Sequence, residues 1–255
     1  MAEAMIKGLL SKGILSEREI FVSDPQEERR NHLEKIYNVR TTAKNEDILK
    51  KSEIIVLAVK PQVMPTVLQG LSKHVKKTHL IISIAAGIKI DTLKAALPKG
   101  ARIIRVMPNT PALVQAGASA YSPGENAKAE DIALVERLLF SVGTAVSVEE
   151  RLMDAVTGLS GSGPAYVFAF IEAMEDAGVR EGLPRPMAKA LSIQTVLGSA
   201  LMCIETGKNT SQLKEMVTSP GGTTIEGLHA LEKGGFKGLI MDAVRAATEK
   251  AKKLG

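Results

Sequence analysis

A chain of 255 residues can fold as one large domain or two modest ones, and its 45% hydrophobic and 24% charged residues are ordinary for a soluble globular protein. With no Trp, three Tyr and five Phe, a base-stacking surface for nucleic acid is poorly supplied, and the net charge of +5 lies on scattered lysines. One cysteine, Cys203, excludes an internal disulfide framework, and the separated His32, His74, His79 and His229 have no ligand-like spacing, so no metal site is expected.

The chain opens Met1-Ala2-Glu3-Ala4-Met5-Ile6-Lys7, without a signal-peptide layout, and continues as a helix carrying Met5, Ile6, Leu9 and Leu10. Glu19–Ser23 reads as a strand closed by Asp24, and Ile54–Val59, Leu80–Ile84, Arg102–Met107 and Thr144–Val148 complete the set. Near-continuous branched residues predict strands buried on both faces, and the helical stretches between them predict βαβ crossovers. The expected fold of residues 1–148 is therefore α/β, a Rossmann-type doubly wound parallel sheet.

A dinucleotide fold of this kind carries a glycine-rich G-x-G-x-x-G/A turn after its first strand and an acidic residue about 20 positions later. Asp24 suits that acidic position, facing an adenosine ribose. Counting back from it lands on Met1 and Ala2. The expectation is that the sequence starts inside the fingerprint, either because Met1 is internal to a longer natural protein or because the cofactor site is truncated. Ala58-Val59-Lys60-Pro61 and Ile84-Ala85-Ala86 leave their strands at the carboxyl edge, where nucleotides bind.

Past residue 149 the strands stop. Ala165–Ala177, Pro186–Thr206, Thr224–Glu232 and Phe236–Lys253 have helical periodicity, and small residues recur in them. This all-helical half, residues 149–255, is apolar enough to predict a homo-oligomer formed through it. Cys203 falls in the run Leu201-Met202-Cys203-Ile204 and is expected as a packed core thiol. No apolar run reads as membrane-spanning, and a cytoplasmic protein with no nucleic-acid or membrane partner is expected.

The most informative segment is Val217-Thr218-Ser219-Pro220-Gly221-Gly222-Thr223-Thr224-Ile225-Glu226-Gly227. Pro220 and the two glycines break one helix, and Thr223 and Thr224 stand where the next begins, with hydroxyls able to cap it. A helix start preceded by two glycines lets a carboxylate approach the backbone closely.

Together with Val59-Lys60-Pro61-Gln62, Ser83–Gly87, Arg105–Pro111 and Thr157–Tyr166, that segment resembles the pyrroline-5-carboxylate reductases, in the family's order across nearly the whole chain. The resemblance implies hydride transfer from NADH or NADPH to the ring imine carbon of 1-pyrroline-5-carboxylate, giving L-proline. It implies that Thr224 is the catalytic residue, hydrogen-bonded to the ring nitrogen, with Thr223 beside the substrate and Ser219, Gly221 and Gly222 shaping a carboxylate pocket. It likewise places Ser23, Pro25 and Asn45 near the adenosine ribose, and Ala58, Val59, Lys60, Pro61, Ile84, Ala85 and Ala86 along the cofactor. Asp24 favours NADH, while Arg29 and Arg30, read as solvated helix residues, could turn toward the extra phosphate of NADPH. Two other readings remain: a hydroxyacid- or prephenate-type dehydrogenase, and a helical oligomer that has lost catalysis.

Overall fold

The computed structural model describes residues 1–254. Its contacts divide into two compact units, one formed by Met1–Ser162 together with the stretch from Arg245 onward, the other by Gly163–Val244.

The first unit alternates helices and strands: α1 (Ala2–Ser11), β1 (Phe21–Ser23), α2 (Glu27–Tyr37), β2 (Arg40–Thr42), α3 (Asn45–Lys51), β3 (Ile54–Leu57), α4 (Met64–Leu71), β4 (Leu80–Ser83), α5 (Ile90–Ala96), β5 (Arg102–Met107), β6 (Gly117–Pro123), α6 (Ala129–Phe140), β7 (Gly143–Ser147) and α7 (Met153–Val156). Strands β3, β4 and β5 pair in parallel, with Ile55 opposite Ile81 and Ile81 opposite Ile103. Every residue of β4 is buried, as a central parallel strand between helical layers requires. The fold class is the Rossmann-type one that the sequence predicts.

Three features differ from the sequence expectation, the first being the three-residue strand β2, which is not in the predicted set. Strand β6 lies antiparallel to β5, so the sheet is mixed, and β7 then pairs parallel with β6. The sequence hides β6 because Gly117-Ala118-Ser119-Ala120 carries no branched residue, and burial against neighbours overrides weak propensity. The hydrogen-bonded sheet is also divided: β1 and β2 form a two-stranded parallel piece, and β3 to β7 form a five-stranded one. A single hydrophobic cluster nevertheless joins them, with Ile20, Leu33 and Val39 packed with Leu80, Ile82 and Ile104. Helix α1 contributes Met5, Ile6 and Leu9 to that cluster. Its backbone lies against the turn before β7 at Gly8, where a Cβ would come within 2.6 Å of the Ser141 carbonyl oxygen.

The second unit is helical: α8 (Gly163–Arg180), α9 (Arg185–Thr206), α10 (Thr210–Met216), α11 (Thr223–Lys233) and the greater part of α12 (Phe236–Lys252). Phe170 and Phe236 have ring centroids 6.1 Å apart, and the Tyr166 hydroxyl donates to the Ala243 carbonyl at 3.4 Å. Helix α9 buries only Ala188 and Ser192, while Leu191, Leu197, Leu201 and Ile204 are exposed. Cys203 is exposed too, which corrects the expectation of a core thiol: the helix is apolar, but this chain does not cover that side of it. By length and composition alone α9 could also cross a membrane, with a mean hydropathy of 1.5 over its most apolar window. That differs from the expectation of no run of membrane-spanning length: between Pro186 and Ile204 the one charged residue is Lys189.

Candidate active site

The residues expected at the nucleotide edge lie just beyond the carboxyl ends of β1 to β4 in the first unit. At the end of β1, the Asp24 N–H donates to the Thr42 carbonyl at 3.1 Å, which holds the exits of β1 and β2 together. Asp24 Oδ1 accepts the Gln26 N–H at 2.9 Å, and Arg30 Nη1 donates to the Asp24 and Pro25 carbonyls at 2.8 and 3.0 Å. The Asp24 loop is thus fixed before α2 begins. Asn45, exposed, opens α3 just beyond β2.

One strand pair further along, the Ile84 N–H donates to the Leu57 carbonyl at 3.1 Å, so the exits Ala58–Pro61 and Ile84–Ala86 are neighbours. Lys60 is exposed and stands as N-cap of the turn Pro61–Val63; Ile84 and Ala85 are buried, while Ala86 is exposed. The hydroxyls of Ser23 and Ser83, at the carboxyl ends of β1 and β4, are buried without a hydrogen-bond partner. An unsatisfied buried hydroxyl costs about 1–3 kcal/mol, and a polar ligand atom laid along this edge would relieve it. Orphaned hydroxyls, small residues and a fixed carboxylate thus line one edge, with polar groups available to a ribose.

Sequence reasoning missed Glu3. In the first turn of α1 its carboxylate accepts from Arg29 Nη2 at 2.6 Å and from the Tyr37 hydroxyl at 3.0 Å, with His32 Nε2 also at 3.0 Å. The His32 and Arg29 hydrogen bonds hold the Glu3 carboxyl down at about 2, so it is ionised at neutral pH. Arg29 and Arg30, expected as solvated, are both engaged. The available signal was the i, i+3 spacing of Arg29 and His32, which puts both on one face of α2.

The motif Arg105–Pro111 meets the motif Thr157–Tyr166 through a side chain. Asn109 Oδ1 accepts the Ala118 N–H at 2.8 Å, while its Nδ2 donates to the Ser160 carbonyl at 3.1 Å. Thr157–Gly161 forms one wide π-helical turn, a local irregularity frequent at functional sites. Buried Arg105 pairs with Glu150 at 3.1 Å.

In the second unit, α10 ends at Met216 and α11 starts at Thr223, as the Pro-Gly-Gly break predicts. The expected threonine cap is not formed: Gly222 is the N-cap residue and no side chain caps the helix. Thr223 and Thr224 lie one and two positions inside, where their own N–H groups are among the helix's unpaired donors. Gly221 has φ +66°, a conformation that favours glycine. A Cβ on Gly222 would come within 2.3 Å of Ser219 Oγ, so the Ser219 hydroxyl rests directly on the backbone at the helix mouth. Unpaired helix N–H groups, a serine hydroxyl and absent side chains meet at this mouth, a combination with the chemistry to take a small carboxylate. Among the described residues, no group of three or more His, Cys, Asp or Glu stands close enough to hold a metal ion.

The fold and these edges define a two-part oxidoreductase: a Rossmann-type nucleotide-binding half joined to an all-helical half. Two family profiles match accordingly, NADP oxidoreductase coenzyme F420-dependent over residues 1–87 and pyrroline-5-carboxylate reductase dimerisation over residues 150–254. The chain is 46% identical over 255 residues to the pyrroline-5-carboxylate reductase of Methanosarcina acetivorans, covering 100% of this chain and 94% of that one. It superposes on the pyrroline-5-carboxylate reductase of Coxiella burnetii with a TM-score of 0.94 at 35% identity, covering 100% and 94% of the two chains. On the Plasmodium falciparum pyrroline carboxylate reductase, solved with NADP bound, it superposes with a TM-score of 0.88 at 36% identity over 99% of this chain and 94% of that one. The chain belongs to the pyrroline-5-carboxylate reductase family.

Proposed function

We propose that this protein is an NAD(P)H-dependent oxidoreductase that reduces 1-pyrroline-5-carboxylate to L-proline, the last step of proline biosynthesis. The single observation that carries the reading is the family match over the whole chain, 46% identity across 255 residues. The Ser219–Thr224 cradle supports it, since the substrate is a small cyclic imine bearing a carboxylate.

The chemistry asks little of the protein in covalent terms. When bound, the reduced nicotinamide supplies the hydride that forms the new C–H bond at the imine carbon. The ring nitrogen, protonated as the iminium, keeps its proton and takes the electron pair of the former double bond, leaving a secondary amine. The protein's task is orientation. Ser219 Oγ and the N–H groups at the mouth of α11, with Gly221 and Gly222 clearing the approach, hold the carboxylate. Thr224 accepts a hydrogen bond from the ring N–H, and Thr223 lines the same mouth. Ser23, Asp24, Pro25 and Asn45 receive the adenosine ribose, and Ala58, Val59, Lys60, Pro61, Ile84, Ala85 and Ala86 lie along the rest of the cofactor.

We assign the cofactor role to residues 1–148 and the substrate and oligomerisation roles to 149–255. The uncovered face of α9 is the surface on which a second copy packs, consistent with the dimerisation profile over residues 150–254. A cytoplasmic location belongs to the same proposal and rests on the single cysteine, Cys203, which suits a reducing compartment.

The test is loss of nicotinamide absorbance with 1-pyrroline-5-carboxylate, run with NADH and with NADPH. Proline-forming turnover with either is the expected result. Absence of turnover with both, on a dimeric protein that binds the dinucleotide, overturns the substrate assignment.

A further inference from the structure

We infer that Glu3 sets the choice between the two nicotinamide dinucleotides, by withholding Arg29 and His32 from a ribose 2′-phosphate. The inference rests on the dinucleotide reading above and names what governs its selectivity.

Asp24 closes β1, and Arg29 follows five residues later in the first turn of α2. A dinucleotide along this edge brings its adenosine ribose to Asp24 and its phosphates toward the start of α1, where Glu3 lies. Arg29 is thus a cation one turn from Asp24 that a 2′-phosphate would draw on if it were released from Glu3. It is also partly accessible, with a side-chain exposure of 36% against 27% for Glu3.

Arg30 is held to the loop by its Nη1, which braces the Asp24 and Pro25 carbonyls. Arg29 and His32 both lie on the one Glu3 carboxylate, which Tyr37 also satisfies. What faces the expected ribose position is the Asp24 carboxylate, one oxygen of which takes the Gln26 N–H, an acceptor suited to hydroxyls and repulsive to phosphate. A 2′-phosphate brings nearly two further negative charges and needs a guanidinium fork to answer them. To recruit Arg29 it would have to break the 2.6 Å pair and leave Glu3 ionised with less support. Ribose hydroxyls require no such exchange. Glu3 touches neither reacting atoms nor ribose in this scheme; it acts through Arg29 and His32 as a positioning residue.

The test is dissociation constants for NADH and NADPH, read from cofactor fluorescence on the full chain, for the wild type, Glu3→Gln, and Glu3→Gln combined with Arg29→Ala. Glu3→Gln is expected to tighten NADPH by roughly fivefold or more while NADH changes less than about twofold, and the added Arg29→Ala to cancel the gain. Equal changes for both dinucleotides, no change, or a gain that survives Arg29→Ala overturns the inference while NADH binding preserves the cofactor reading. Binding of neither dinucleotide to any form overturns both. A thermal melt on each variant separates a folding defect, which would weaken both cofactors alike, from a change in selectivity.

Discussion

Buried Arg105 on β5 and Glu150 beyond β7 share one ion pair at 3.1 Å, and the same Glu150 oxygen accepts the Ile90 N–H that opens α5 at 2.7 Å. One carboxylate thus answers an arginine that is 4% exposed and a helix N-terminus together. Removing it leaves a buried guanidinium without its counter-charge. Glu150→Gln is expected to destabilise the protein by about 2–4 kcal/mol, discounted because Glu150 is itself partly exposed. Glu150→Gln with Arg105→Met should cost less than the two single changes added. Denaturant melts of the three variants check this, and strict additivity would refute the coupling.

The Glu3 cluster predicts a stability change in acid. Because the His32 and Arg29 bonds lower the folded-state pKa to about 2 from 4.5, the contribution is complete above the unfolded value and is lost as pH falls through the folded one. After allowance for solvent screening at a partly exposed site, it should amount to about 1–2 kcal/mol. Wild type and Glu3→Gln should therefore differ in melting temperature at pH 6 and converge near pH 2. A gap unchanged across that range would be contrary to the assignment.

Thr224→Ala should lower turnover by roughly tenfold or more, the equivalent of one hydrogen bond of about 1.4 kcal/mol, with oligomeric state unchanged. Steady-state rates and sedimentation on the same preparation make the comparison. Wild-type turnover removes Thr224 from the mechanism.

The two glycines beside Ser219 should fail differently. Gly221→Ala places a side chain at φ +66° and should cost about 1 kcal/mol of stability. Gly222→Ala keeps an ordinary backbone, but its new Cβ would collide with Ser219 Oγ and displace it, so it should raise KM with little change in melting temperature. If Gly222→Ala melts early and keeps its KM, the cradle is structural.

Strands β1 and β3 each have a hydrogen-bonded neighbour on one side only. An extended Val- and Ile-rich segment fused ahead of Met1 through a glycine turn should pair with these open edges and raise the melting temperature by several degrees. Amide hydrogen exchange should slow in Phe21–Ser23 and Ile54–Leu57. Unchanged exchange there would mean the added segment does not enter the sheet.

The parts legible in the sequence were those where one local signal decides the structure. Branched runs placed β3, β4 and β5, and Pro220-Gly221-Gly222 placed the start of α11 at the level of a residue or two. Strand β6 was invisible because its pairing is written in β5 and β7 rather than in Gly117-Ala118-Ser119 themselves. The Thr223 and Thr224 caps failed because the chain enters α11 through Gly222, one position earlier than the hydroxyls could serve. The Glu3–Arg29 pair spans 26 residues, and only tertiary packing of α1 on α2 brings it together. The exposure of Cys203 was illegible for another reason: an apolar helix signals burial without saying which chain supplies the cover.

That last point reaches into any assay of this enzyme. Leu191, Leu197, Leu201 and Ile204 lie at 44–75% exposure on α9, and covering side chains of this kind contributes roughly 1.5–3 kcal/mol each before the costs of association. Where a second copy covers this face as proposed, folding and self-association are linked by mass action, so the melting temperature should climb with protomer concentration. A turnover number would then depend on protomer concentration, and dilution series must precede any comparison between variants.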